Sequence, residues 1–102
     1  MKVYIIGPIT GVEGYKDRFD GAEKILRAQG HTPMNPTVLP PGFEHHEYLK
    51  ICFSMLDVCE AVLVLTRWER SKGAKMEVTY AMVSGKKIGL CMPEIQYISW
   101  IE

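Results

Sequence analysis

The hydrophobic pattern changes period several times in the first third of the chain. Residues 2–6 (KVYII) form a short β-branched and aromatic run that Gly7-Pro8 ends, which predicts a buried strand followed by a turn. Between 15 and 29, four apolar residues recur at helical spacing, and Gly30 follows as a C-terminal stop. Residues 31–34 then predict a second short strand.

The rest of the chain repeats this alternation. Residues 35–42 contain three prolines and predict a loop, and an apolar stripe at helical spacing predicts a helix over 45–59. The continuous apolar run at 61–65 is typical of a fully buried strand. A helix over 72–84, with a serine before it as a candidate N-cap, and a strand over 87–91 complete the series.

Strands that alternate with helices predict an α/β domain whose parallel sheet carries helices on both faces, joined by right-handed crossovers. Such sheets bind ligands at the carboxyl ends of their strands. Three predicted loops, 7–11, 35–42 and 66–71, leave those ends. We therefore expect all three loops to border one crevice.

The composition fits one small domain over residues 1–102. The formal net charge is zero, with 12 basic and 12 acidic residues intermixed, so nothing resembles the basic surface that binds nucleic acid. Cys52, Cys59 and Cys91 have no CxxC spacing, which favours reduced thiols in the cytoplasm over disulfides or a zinc site. The apolar run near the N-terminus is too short for a signal peptide or a membrane span.

Glu77 places a carboxylate on a helical face of mostly small residues. Gly73 and Ala74 lie one turn before it, and Tyr80 and Ala81 lie one turn after it. Such neighbours would leave a hollow in which a ligand approaches the carboxylate, and partial burial would raise its pKa. The alternative from spacing alone is an ordinary solvent-facing glutamate, which would leave a structural or partner-binding domain.

Four motifs together resemble the nucleoside 2-deoxyribosyltransferase-like superfamily, in particular its small bacterial and phage branch, the DUF4406-like proteins. They are YIIGPITG at 4–11, Gly-His at 30–31, Asn-Pro at 35–36, and WERSKGAKMEVTYA at 68–81. The resemblance implies a flavodoxin-like three-layer sandwich with a mainly parallel sheet of four to five strands. It also implies a nucleoside or nucleoside 5′-monophosphate as small-molecule substrate, no cofactor, and a homo-oligomer.

The resemblance assigns the chemistry to Glu77, which would attack the anomeric carbon and form a covalent glycosyl ester, with the Tyr4 hydroxyl holding it. The expected activity is that of an N-glycosidase or 2-deoxyribosyltransferase. In the superfamily an aspartate assists, but Cys52 occupies its position here, and Asp57 is a substitute on a different face of its helix. A nucleotide-binding protein without turnover is therefore the alternative.

Substrate-binding roles are predicted from the same resemblance for Ser71 and from position after a strand for Trp68 and Asn35. Ser71 would contact a 5′-phosphate, besides capping its helix. Trp68 would stack on a base or cover the core edge, and Asn35 would bind ligand or cap its turn. The full predicted set is Gly7, Pro8, Ile9, Thr10, Gly11, Asn35, Trp68, Ser71 and Gly73. No metal site is expected, since the adjacent His45 and His46 diverge by about 100° on a helix.

Overall fold

The computed structural model describes residues 1–101. The elements in chain order are β1 Lys2–Ile6, α1 Tyr15–Ala28, β2 Thr32–Met34, α2 His45–Asp57, β3 Ala61–Leu65, α3 Lys72–Val83, β4 Lys87–Met92 and β5 Tyr97–Ile101. The strands form one sheet in the order β2-β1-β3-β4-β5. The first four are parallel, and β5 pairs antiparallel to β4. The predicted flavodoxin-like α/β fold is confirmed.

The sheet separates two hydrophobic cores. On one face, α1 packs Phe19, Ala22 and Leu26 against alternate residues of β1 and β3. On the other face, α2 and α3 pack against the remaining residues of the same strands. Because β1 and β3 are covered on both faces, they are continuously apolar, which is why their sequences lack alternation.

Local interactions and backbone conformation set where the helices begin and end. The Ser71 hydroxyl accepts a hydrogen bond from the Ala74 amide at 3.1 Å and so caps α3, as predicted. Gly30 follows α1 with φ of 84°, a left-handed conformation that favours glycine. None of the helices within residues 1–101 has the length and apolar character needed to cross a membrane.

The edge strand β5 was not predicted individually. Its inward residues Ile98 and Trp100 pack against the α1 core, and Trp100 pairs with Gly89 of β4. A Cβ at Gly89 would lie 2.8 Å from the Trp100 ring and 3.0 Å from Leu63 Cδ1. The glycine therefore makes room for the indole, and this fit fixes the register of β5.

Candidate active site

Glu77 lies on the inner face of α3. Ala74 and Ala81, one turn before and after it, and the adjacent Val78 pack into the core, and Glu77 itself is only 8% exposed. It lines a cavity at the carboxyl ends of the strands. A carboxylate almost never occupies such a position unless it is paired or functional. The solvent-facing alternative is therefore wrong.

Tyr4, a residue of the sheet, holds the Glu77 carboxylate in place through a hydrogen bond. It lies on β1 with 1% of its surface exposed, and its hydroxyl donates a 2.5 Å hydrogen bond to Glu77 Oε2. Among residues 1–101, no hydrogen bond is made by Oε1 of Glu77. One oxygen is therefore fixed, and the other is free to meet a ligand.

The surroundings of Glu77 raise the pKa of its carboxyl group. Burial raises its pKa from 4.5 to about 7, and the hydrogen bond from Tyr4 opposes part of that rise. Burial and the negative charge of Glu77 raise the pKa of Tyr4 far above its ordinary value. Tyr4 is therefore a permanent donor, whereas Glu77 changes protonation near neutral pH.

Cys52 reaches the same place from α2. It lines the cavity, and burial raises the pKa of its thiol. The thiol is therefore neutral near pH 7. Asp57 is not close to the cavity, because it lies at the exposed end of α2 and accepts a 2.7 Å hydrogen bond from the Tyr80 hydroxyl.

The cavity has a volume of about 510 Å³, within the usual range for small-molecule sites. It lies over the ends of β1 and β3, where the strand order reverses direction. Its walls come from all three predicted loops together with α2 and α3, so the expectation of one shared crevice is confirmed. Its lining is Gly7, Ile9, Thr10, Tyr15, Lys16, Pro36, Thr37, Leu39, Pro41, His45, Tyr48, Leu49, Cys52, Ser71, Gly73, Ala74 and Glu77.

The structure brings most of the predicted rim together. Gly7, Ile9, Thr10, Ser71 and Gly73 all line the cavity. The two remaining residues of the first loop do not: Pro8 is buried, and Gly11, with φ of 74°, forms the outer turn.

Trp68 and Asn35 lie outside this cavity. Trp68 lines a second groove, with Leu90 and Tyr97 of the exposed sheet edge. The Asn35 side chain caps its own turn, since Oδ1 accepts from the Thr37 amide at 2.9 Å. The base-stacking and ligand-binding interpretations of these two residues thus find no geometric support, whereas the core-edge and turn roles do.

Several lining residues were not predicted. Lys16 and His45 approach the outer half of the cavity from the first turns of α1 and α2. Tyr48 secures the loop beside them, donating to the Pro40 carbonyl at 2.6 Å and accepting from the Phe43 amide at 3.3 Å. The sequence does carry a signal, because His45, Leu49 and Cys52 share one helical stripe. Within residues 1–101, no cluster of His, Cys, Asp or Glu is suited to hold a metal ion.

Two comparisons with known proteins bear on the fold and on the family of the chain. The structure resembles that of a 2-deoxyribosyltransferase from the psychrotolerant bacterium Bacillus psychrosaccharolyticus, described as a biocatalyst for the synthesis of antiviral and antitumoral nucleosides. The TM-score is 0.71 and the identity 21%, over 88% of this chain and 71% of that one, which establishes a shared fold. No curated protein sequence matches the chain. The family model described as "Domain of unknown function (DUF4406)" matches residues 1–90, and the chain therefore belongs to that family.

Proposed function

We propose that this protein cleaves the N-glycosidic bond of a nucleoside or nucleoside 5′-monophosphate, as a hydrolase or as a 2-deoxyribosyltransferase. The observation that carries the proposal is the buried Glu77 carboxylate, held by Tyr4 through Oε2 with Oε1 free beside a cavity of nucleoside size. The fold shared with a 2-deoxyribosyltransferase supports the same reaction class.

The first step forms a bond between Glu77 Oε1 and the anomeric carbon while the bond from that carbon to the base nitrogen breaks. The bonding electrons leave with the base. Positive charge develops on the sugar in the transition state, and the adjacent carboxylate stabilises it before capturing it. The Tyr4 hydrogen bond keeps the carboxylate oriented and favours its ionised form.

The second step releases the sugar. Water, or the nitrogen of a second base, attacks the anomeric carbon and the ester bond to Glu77 breaks, which regenerates the carboxylate. Water gives hydrolysis, and a base gives transfer. Both outcomes use the same residues of this chain.

A 5′-phosphate is compatible with the rim. Ser71 and Gly73 begin α3, and the free amides and dipole of a helix N-terminus favour an anion. Pro8, in the loop after β1, has no amide hydrogen to add to this site. Nucleosides and their 5′-monophosphates should therefore both be tested as substrates.

The test is to incubate the protein with ribo- and deoxyribonucleosides and their 5′-monophosphates and to measure release of free base. Glu77→Gln should abolish release, because an amide of the same shape cannot act as the nucleophile. Glu60→Gln is the matched control, since Glu60 is exposed and caps the other end of the sheet by accepting from the Lys2 amide. Base release that survives Glu77→Gln would refute the proposal.

Cys52 supports a second candidate, a protein that binds nucleotides without turnover. A neutral thiol beside Tyr4 and Glu77 supplies no carboxyl group for acid catalysis. In that case, the same ligands would raise the melting temperature of the protein without releasing base.

We also propose that the protein works in the cytoplasm as a homo-oligomer. Its three cysteines are free thiols. The face of β4 and β5 beyond α3 exposes Leu90, Met92 and Tyr97, which another copy would cover. Light scattering should give a multiple of the 11.6 kDa chain mass, whereas a monomer at every concentration would contradict assembly.

A further inference from the structure

The outer half of the cavity contains two basic side chains that the reaction above leaves without a role. Lys16 approaches from α1 and His45 from α2, and both line the cavity. Among residues 1–101, neither side chain takes part in a hydrogen bond or an ion pair. Both are exposed at the cavity mouth, so they are free to contact a ligand.

The helix α2 sets the distance between His45 and the reacting end. His45, Leu49 and Cys52 lie on one stripe of this helix, all three line the cavity, and Cys52 is next to Tyr4 and Glu77. Seven residues of helix span about 10 Å. A sugar held at Glu77 leaves its base to extend along this wall toward His45, and the two fused rings of a purine reach farther along it than the single ring of a pyrimidine.

The walls between these two ends suit a flat base. They consist of Leu39, Pro41, Tyr48 and Leu49, with Tyr15 from α1. Aromatic and apolar side chains bind the faces of a ring, and the polar groups at the ends fix its orientation.

The leaving base needs a proton, and the inner end of the cavity does not provide a suitable donor. The Cys52 thiol is a weak acid whose pKa burial raises, and the Tyr4 hydroxyl is committed to Glu77. The Tyr48 hydroxyl already donates to Pro40. Histidine is the side chain that most often acts as a general acid, and His45 is the histidine that lines this cavity.

We propose that the substrate is a purine nucleoside and that His45 is the general acid for its leaving base. This inference rests on the proposed function. As the bond from the anomeric carbon to N9 breaks, its electron pair moves into the purine, and the His45 imidazolium gives a proton to ring nitrogen N7. The sugar passes to Glu77 Oε1. When water opens the ester, its proton returns to His45 and its oxygen stays on the sugar.

Lys16 comes from α1, which packs on the opposite face of the sheet from α2, and its ammonium group would meet an acceptor on the purine edge. It would stabilise the developing negative charge without transferring a proton. Lys16→Met should therefore weaken turnover less than loss of His45.

The test compares 2′-deoxyguanosine and guanosine with their N7-methyl derivatives, whose base leaves as a neutral molecule without needing a proton. His45→Gln should lower kcat/KM for the unmethylated nucleosides about 100-fold or more. It should leave kcat/KM for the methylated ones within about 3-fold of wild type, after subtraction of the uncatalysed rate. His46→Gln is the matched control, because His46 is the adjacent exposed histidine and does not line the cavity.

The outcomes separate this inference from the proposed function. If Glu77→Gln is inactive but His45→Gln acts normally on guanosine and deoxyguanosine, the His45 assignment is wrong and the nucleophile stands. Equal losses on methylated and unmethylated substrates would also overturn proton donation. Cleavage of pyrimidine nucleosides alone would overturn the purine assignment. If the wild-type protein releases no base, the proposed function falls, and the inference falls with it.

Discussion

Tyr4→Phe removes one oxygen atom and should change the pH dependence of the reaction. The hydroxyl donates at 2.5 Å to a carboxylate whose pKa is about 7, and this hydrogen bond lowers that pKa. Phenylalanine fills nearly the same space within the core around β1, so the packing changes little. The main effect is the loss of one donor to a buried charge.

The size of the effect follows from the hydrogen bond. A bond to a charged group contributes about 1.5–3 kcal/mol, and 1.36 kcal/mol corresponds to one pKa unit, so the pKa of Glu77 should rise from about 7 to about 8 or 9. The ionised fraction at pH 7 would then fall from about half to about a tenth or less. Turnover at pH 7 should fall roughly 5- to 50-fold.

The assay is the pH profile of kcat/KM for the wild type, Tyr4→Phe and Tyr80→Phe. Tyr80 also donates to a carboxylate, but to Asp57 on the outer surface, so its substitution should leave the profile unchanged. The limb of the profile that rises with pH should shift to higher pH in Tyr4→Phe. An unchanged or lower apparent pKa in Tyr4→Phe would refute the assignment of Tyr4 as the donor that keeps Glu77 ionised.

Three further changes test the packing around the site. The pKa of Glu77 rises from 4.5 to about 7 on folding, so the folded state loses stability as pH rises through that window. In urea titrations, Glu77→Gln should therefore be more stable than the wild type by up to about 3 kcal/mol at pH 8 and not at pH 4. An equal difference at both pH values would contradict a free-energy cost of burying the ionised carboxylate. Arg18→Met removes a buried guanidinium that pairs with the half-exposed Glu94 and donates to Thr66, and it should cost about 1.5–3 kcal/mol. Arg27→Met, on the exposed side of the same helix, should cost under about 1 kcal/mol. Similar urea midpoints would show that Arg18 contributes little. Gly89→Ala should lower the melting temperature, because the new methyl group would lie 2.8 Å from the indole ring packed on it, and an unchanged melting temperature would contradict this fit.

Much of the fold can be predicted from the spacing of hydrophobic residues. The strands β1 and β3 are covered on both faces and are therefore continuously apolar, whereas α1 packs on one face and has apolar residues at helical spacing. The strand β5 escapes this reasoning. It is a short edge strand whose inward residues are few, and its position depends on Trp100 meeting Gly89, a contact between distant residues. Gln96, just before β5, has φ of 53°, and the sequence at this turn contains no glycine that would predict a left-handed conformation.

The candidate site, like the fold, can be predicted from the sequence only in part. Helical spacing gives Glu77 small neighbours and gives Ser71 the cap position. Spacing alone leaves Glu77 either inward or solvent-facing, and the resemblance to the superfamily favours the inward position. The Asn35 side chain donates to Asp20 and Glu23 of α1, 12–15 residues away, and nothing local to Asn35 predicts this. His45 shares a helical stripe with Leu49 and Cys52, but this spacing does not show that the stripe faces the same cavity as Glu77, which the folded structure does.

The most direct measurement of the central claim is peptide mass spectrometry after incubation with a 2′-fluoro-arabinosyl nucleoside. The fluorine destabilises positive charge on the sugar and so slows release of the ester. The account predicts a fluorosugar adduct on the peptide that contains Glu77, lost in Glu77→Gln and retained in Glu60→Gln. Base release without any adduct, or an adduct on another residue, would contradict it.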